Sequence, residues 1–154
     1  VAPERRRGLH PVGRLDKDTT GLILLSTDGE WSHRVTSPRF ACSKVYRVDV
    51  AEPVSDETLQ RLEQGVVLRG DSKPSYARGL ERISGTRIRL TLDQGRYHQI
   101  KRMIGALGNR VTALHRERIG GLELDPQIGE GDYRSLTPDE IERVMPLRQS
   151  PPVQ

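Results

Sequence analysis

The run Gly13-Arg14-Leu15-Asp16-Lys17-Asp18-Thr19-Thr20-Gly21 places one carboxylate, Asp16, two residues after an arginine and just before a turn of small residues. The apolar run Leu22-Ile23-Leu24-Leu25 follows, and its length predicts a buried strand. An acid held at the edge of a strand beside a cation can serve as a nucleophile. The neighbouring acid, Asp18, suits a turn-capping role over Thr19-Thr20-Gly21. Two further stretches carry groups that could join Asp16: Lys44-Val45-Tyr46, and Gly95-Arg96-Tyr97-His98-Gln99-Ile100-Lys101-Arg102.

The second stretch opens the best-defined helix in the sequence. Ile100, Met103, Ile104 and Leu107 recur at i, i+3, i+4 and i+7, which predicts a helix over residues 97–107, stopped by Gly108-Asn109. At about 100° per residue, Lys101 lies about 100° from Ile100, at the edge of the apolar stripe, and Arg102 about 200° away. Lys101 is therefore placed to reach a partly buried Asp16, and Arg102 to face outward toward phosphate. A share of the Asp16 contact for Arg102 stays open. Tyr46 lies in an alternating stretch, 43–50, that predicts a strand and puts Lys44 on the same side. From pattern alone, Tyr46 is either packing or an aromatic platform.

The elements expected to hold these groups are short and mixed. Asp28 can cap a helix through Trp31-Ser32-His33 that ends before Pro38. Ser55-Asp56-Glu57 starts another through Leu59 and Leu62, with Gly65 as its stop. Strands are expected at 77–83 and 86–92, joined by Ser84-Gly85, then at 110–114 and more weakly at 122–124. Thr137-Pro138-Asp139-Glu140 is a capping box with proline at N1, opening a last helix through Val144. Residues 1–10 read as a polar loop holding Arg5-Arg6-Arg7. Without regular βαβ alternation, the expected class is α+β with a mostly antiparallel mixed sheet flanked by helices.

Composition narrows the function. The chain has 154 residues, 34% hydrophobic and 30% charged, enough for one domain with its own core. A single cysteine, Cys42, excludes an internal disulfide and fits a reducing cytoplasm. No apolar run approaches the roughly 20 residues of a membrane span. His33, His98 and His115 are irregularly spaced, so no metal site is expected, and no P-loop or GxGxxG pattern opens a helix, so no nucleotide cofactor is expected. Net charge is +4, and the 25 cations are 21 Arg and 4 Lys. Residues 87–118 carry eight cations against two acids, while 119–154 carry three against seven. A basic middle predicts a cationic face for a polyanion.

Taken together and in order, the three motifs resemble the pseudouridine synthases. Trp31-Ser32-His33-Arg34, Ser37-Pro38-Arg39 and Gly95-Arg96-Tyr97-His98-Gln99 resemble the branch of that family acting on small-subunit (16S) rRNA. The resemblance covers about residues 8–147 and implies the pseudouridine synthase catalytic fold over 1–147, with 148–154 a loose tail. It implies isomerisation of a uridine to pseudouridine with Asp16 as the essential group, which must be ionised; a neighbouring cation favours that state. The basic residue after His-Gln-Ile, here Lys101, is implied as its partner; many relatives have arginine there. Tyr46 is implied to stack on the target base, Arg14 to enter the RNA stack in its place, and Ile119 or Leu122 to lie under the base. Lys44, Arg96, His98, Arg102 and Arg116 are expected to meet RNA. The implied partner is 16S rRNA or a small-subunit assembly intermediate, bound by a monomer. An S4-type RNA-binding domain and a Lys-Pro-x-Gly strand, which relatives carry before the catalytic stretch, are not in this sequence. Two other readings stay open: a large-subunit (23S) rRNA enzyme of the same family, and a non-catalytic RNA-binding module.

Overall fold

A computed structural model describes residues 1, 3–40, 42–96 and 98–144. Among them are eight strands, β1 (His10–Val12), β2 (Thr19–Gly21), β3 (Leu24–Ser26), β4 (Lys44–Val50), β5 (Arg78–Ser84), β6 (Arg87–Leu92), β7 (Val111–Ile119) and β8 (Leu122–Glu123). Four helices accompany them: α1 (Gly29–Thr36), α2 (Asp56–Gln64), α3 (Gln99–Ala106) and α4 (Pro138–Val144). The main sheet runs β2-β7-β4-β6-β5, with β8 folded back on β7; β1 and β3 form a separate antiparallel pair. Only β2–β7 is parallel, so the α+β class with a mostly antiparallel sheet holds.

Alternation along the central strands decides which face packs. Paired residues share a face, so Ile88, Val48 and Leu114 form one row, and Leu90, Tyr46 and Arg116 the next. On this inner face α2 contributes Leu62 and α3 contributes Ile100, Met103 and Ile104 to one core. Burying each such side chain favours folding by about 1.5–3 kcal/mol. A second core gathers Trp31 and Val35 of α1, Leu24, Cys42, Ile119, Leu122 and Val144 around the β7–β8 turn. The outer face is ionic: Arg87 pairs with Asp49, and Arg89 with both Glu81 and Glu117.

Local signals set the helix starts. Asp28 accepts from the Trp31 N–H at 3.0 Å and Ser55 from the Thr58 N–H at 3.1 Å. Thr137 and Glu140 each accept from the other's backbone N–H, closing the capping box of α4.

Three expectations change. Leu22–Leu25 is not one buried strand: the chain leaves β2 at Gly21 and re-enters as β3 at Leu24, leaving Ile23 38% and Leu25 45% exposed. His10, the end of the segment read as loop, opens β1, which pairs with β3. The strand expected at 110–114 runs on to Ile119, because a bulge opposite Val45 and Tyr46 absorbs Glu117 and keeps β7 paired with β4. The expected start of α3 at Tyr97 and the tail 148–154 lie outside the described residues.

Candidate active site

Asp16 stands at a closed turn. Its carbonyl accepts the Thr19 N–H at 2.9 Å, and the turn delivers the chain into β2. The carboxylate leans toward the start of α3, with Oδ1 3.4 Å from His98 Nε2 and Oδ2 3.8 Å from Lys101 Nζ. All three side chains are about one-third exposed, 33% for Asp16, so the anion is both held and reachable. Asp18 is exposed in the same turn.

Helix α3 presents Lys101 for the reason its periodicity suggests. Ile100, Met103 and Ile104 are buried in the first core, which fixes the rotation of the helix and leaves Lys101 at the edge of the stripe. His98 reaches Asp16 by a different route. At φ 45° and ψ 39° it is the one non-glycine residue in the left-handed region among the described residues, and it sits at the N-cap of α3. Such a conformation costs about 1 kcal/mol or more and tends to persist where surrounding structure imposes it. Gln99 supplies part of that imposition. Buried behind His98, its amide donates to the Tyr76 carbonyl and to Gln94 Oε1, both at 3.3 Å, while its oxygen accepts the Arg96 N–H. Gln99 stands in the motif but no role was expected of it; its bond to Tyr76, 23 residues away, exists only in the fold.

Arg102 does not face freely outward. It donates to the Arg69 carbonyl at 3.0 Å and pairs with Asp71 at 3.3 Å. Arg96 holds the same loop from the other side, donating to the Lys73 and Pro74 carbonyls and to Ser75 Oγ. The two arginines thus clamp the segment between α2 and β5 against α3, and border an open concavity of about 440 Å³ lined also by Gly70, Asp71, Ser72 and Lys73. Of the two, Lys101 is the one paired with Asp16, and Arg102 is paired with Asp71.

Tyr46 is half-buried against the first core, on the inner face that α3 also covers. It pairs with Arg116, and Arg116 in turn pairs with Gly21 at the end of β2. The strand led by the Asp16 turn and the strand of Tyr46 therefore flank β7 on either side, roughly 10 Å apart. Arg116, expected to meet RNA, is instead 2% exposed, its Nε donating to the Leu22 carbonyl at 2.8 Å. The extension of β7 past Leu114 explains this: alternation carries position 116 onto the inner face. Lys44 lies on that face too, its Nζ donating to the Cys42 carbonyl at 3.0 Å. Burial pushes the Lys44 pKa down from the usual lysine range.

Ile119 and Leu122 do not gather with Tyr46. They are buried in the second core with Trp31 and Val144, where the β7–β8 turn packs on α1 and α4. On β7, Leu114, one row along from Arg116, belongs to the core that Tyr46 packs against. Arg14 is exposed and makes no ion pair among the described residues. His33 lies exposed on α1, and His115 sits 2.7 Å from Thr20 Oγ1 on the outer face. Burial lowers the His115 pKa, and the Arg47 charge adds to it.

Comparison with known proteins bears on this geometry. Residues 1–106 match the family model for RNA pseudouridylate synthase. The chain is 51% identical over 137 residues to ribosomal small subunit pseudouridine synthase A of Escherichia coli K12, covering 89% of this chain and 59% of that protein. It is 52% identical over 136 residues to the Yersinia pestis protein of the same name, covering 88% and 58%. The chain thus spans about three-fifths of the length of these relatives. Among solved structures, a crystal structure of a pseudouridylate synthase superposes with a TM-score of 0.90 at 47% identity, over 94% of this chain and 63% of that one. An archaeal box H/ACA Nop10–Cbf5 complex shares the fold at a TM-score of 0.53 and 19% identity, over 76% and 40%. With the matched model covering more than half its length, the chain belongs to the RNA pseudouridylate synthase family.

Proposed function

We propose that this chain is the catalytic part of an enzyme that converts a uridine of 16S rRNA into pseudouridine, acting as a monomer with Asp16 as its essential group. The single observation that carries the reading is the Asp16 carboxylate bracketed by His98 and Lys101 of α3, one strand away from the Tyr46 row. The small-subunit assignment draws support from relatives 51–52% identical that are named for that activity.

The reaction needs one anion and a place for an everted base. The C1′–N1 bond breaks, the uracil turns, and its C5 joins C1′. Asp16 meets the electron-poor centre that forms as the bond opens, as a nucleophile or as a fixed countercharge. Lys101, 3.8 Å from its Oδ2, aims the carboxylate and offers it a countercharge. Tyr46 offers a ring against which the extruded base stacks, and Leu114 an apolar surface beside it. Flanking phosphates run past Arg14 and past the concavity edged by Lys73, Arg96 and Arg102.

Replacing Asp16 with Asn keeps the side chain's shape and removes its charge. Asp16→Asn is expected to abolish pseudouridine formation, read by tritium release from C5-labelled RNA, while RNA affinity stays within about threefold; turnover in this variant sinks the assignment. Mapping pseudouridines in both ribosomal RNAs of a strain lacking the gene separates a 16S target from a 23S one. A chain that binds RNA and forms no pseudouridine in either is the non-catalytic module instead.

A further inference from the structure

Arg116 is the most unusual charge in the molecule. It is 2% exposed, it lies on the inner face of the sheet, and its only side-chain hydrogen bond among the described residues is from Nε to the Leu22 carbonyl. Its Nη2 is buried without a partner. A second cation, Lys44, stands in the adjoining row and is close enough that the Arg116 charge helps depress its pKa, after the larger effect of burial. Lys44 too is satisfied by a carbonyl, that of Cys42. The carboxylate whose charge reaches Lys44 is Asp93, and Arg78 grips both its oxygens at 2.6 and 2.8 Å. Neither Lys44 nor Arg116 has a carboxylate as an ion-pair partner among the described residues.

Two neighbouring cations sunk into a sheet face with no ion-pair partner are costly to keep. A buried ion commonly has an oppositely charged partner, and an unsatisfied buried donor calls for an explanation such as a ligand that completes it. Tying two carbonyls could be done by neutral donors and does not require two charges. What requires them is an anion that arrives and leaves. The position narrows that anion. Arg116 is in register with Tyr46 on one side and Gly21 on the other, between the platform strand and the strand led by the Asp16 turn. A backbone phosphate, joined to two riboses, cannot enter beside so buried a guanidinium; the flat edge of a single base can.

Resting on the function proposed above, we infer that Lys44 and Arg116 form a cationic wall of the base pocket, which takes up the negative charge that uracil acquires when its bond to ribose breaks. In that step the C1′–N1 bond opens with its electron pair left on N1, and resonance spreads the charge over N1, O2 and O4. C1′ is met by the Asp16 carboxylate. After the base turns, C5 supplies the pair for the new C5–C1′ bond as Asp16 departs, the C5 proton passes to water, and N1 regains a proton. Nothing is gained or lost overall. Lys44, partly exposed, touches a carbonyl oxygen of the base. Arg116, buried behind it, is a positioning residue whose uncompensated charge holds the potential of the wall positive, the preorganised kind of stabilisation that a low-dielectric site strengthens.

The test varies the leaving group. Lys44→Met, Lys44→Arg and Arg116→Lys are compared with wild type in the intact protein, on the same 16S rRNA fragment carrying uridine or 5-fluorouridine at the target. C1′–N1 cleavage is read by digestion to nucleosides and chromatography, and folding by thermal melts. Fluorine makes the departing base a weaker base, so stabilisation by the wall matters less. Lys44→Met is expected to lower kcat on uridine about 100-fold with KM within about threefold, and to recover at least about tenfold of that loss on 5-fluorouridine. Lys44→Arg is expected to restore most of the rate, and Arg116→Lys, which keeps the charge and sheds the fork, to show a smaller defect with the same fluorine sensitivity. Equal losses on both substrates, a loss confined to KM, or no loss overturns the inference. An inactive wild type overturns the underlying function itself, whereas an active wild type with indifferent variants overturns only the wall.

Discussion

Lys101 meets Asp16 as a point charge at 3.8 Å, and His98 meets the other carboxylate oxygen at 3.4 Å. An ammonium on a flexible stem supplies charge without the two-pronged geometry of a guanidinium. Lys101→Met should therefore cost kcat about 100-fold or more, while Lys101→Arg should stay within about tenfold of wild type, measured under single-turnover conditions. Equal damage from both substitutions would mean that the shape of the lysine, not its charge, is what Asp16 needs. At this scale the sequence was partly legible. Asp16 and Lys101 could be brought together from a turn and a helical period, because both follow local rules. His98 could not, since its approach depends on a left-handed backbone that favours glycine and that the buried Gln99 network imposes. Arg116 was misread as a surface contact for a related reason. The strand continues past Leu114, plain alternation puts Arg116 on the inner face, and a bulge at Glu117 keeps β7 paired beyond it.

The elements differ in how far their causes are local. The starts of α1, α2 and α4 are each fixed by a capping side chain within three residues, so they can be read directly. Strands β1 and β3 depend on each other across the chain between them, and the apolar run at 22–25 gave no sign that it would begin as a connection and join a second sheet only at Leu24. Gly21 is where the chain leaves the first sheet. It has φ +112°, and a Cβ there would collide with the backbone of Arg116, because β2 and β7 lie too close for any side chain. Gly21→Ala is expected to destabilise the fold by about 3 kcal/mol in urea denaturation, combining left-handed strain with steric displacement of β7. Gly29→Ala, at the open start of α1 with nothing within 4 Å, serves as the control and should change stability by less than about 0.5 kcal/mol. Because β2 carries the Asp16 turn, the Gly21 variant should also lose activity at temperatures where it remains folded.

Over the whole molecule, the linear charge pattern overstates how much positive surface is free to meet a polyanion. Residues 87–118 are strongly basic in sequence, yet folding pairs them with acids, mostly from outside the segment: Asp49 with Arg87, Glu81 and the segment's own Glu117 with Arg89, Asp71 with Arg102 and Glu123 with Arg118. Arg116 is buried and Lys101 is committed to Asp16. The cations left facing solvent, Arg14, Lys17 and Lys73 among them, come mainly from loops outside the basic segment. RNA binding should then release few counterions. If all eight cations of 87–118 met phosphate, log Kobs would fall with log salt at a slope near −6; with three or four contacts the slope should lie at about −2 to −3, taking about 0.7 per contact for single-stranded RNA. Titrating a 16S rRNA fragment from about 50 to 200 mM KCl measures that slope. Arg87→Ala, on the ion-paired outer face, should leave it unchanged, whereas Arg14→Ala and Lys73→Ala should each make it shallower by about 0.7. A slope that changes with Arg87 and not with Arg14 or Lys73 would put the RNA on the opposite face of the sheet from Asp16, and the site would have no route to its substrate.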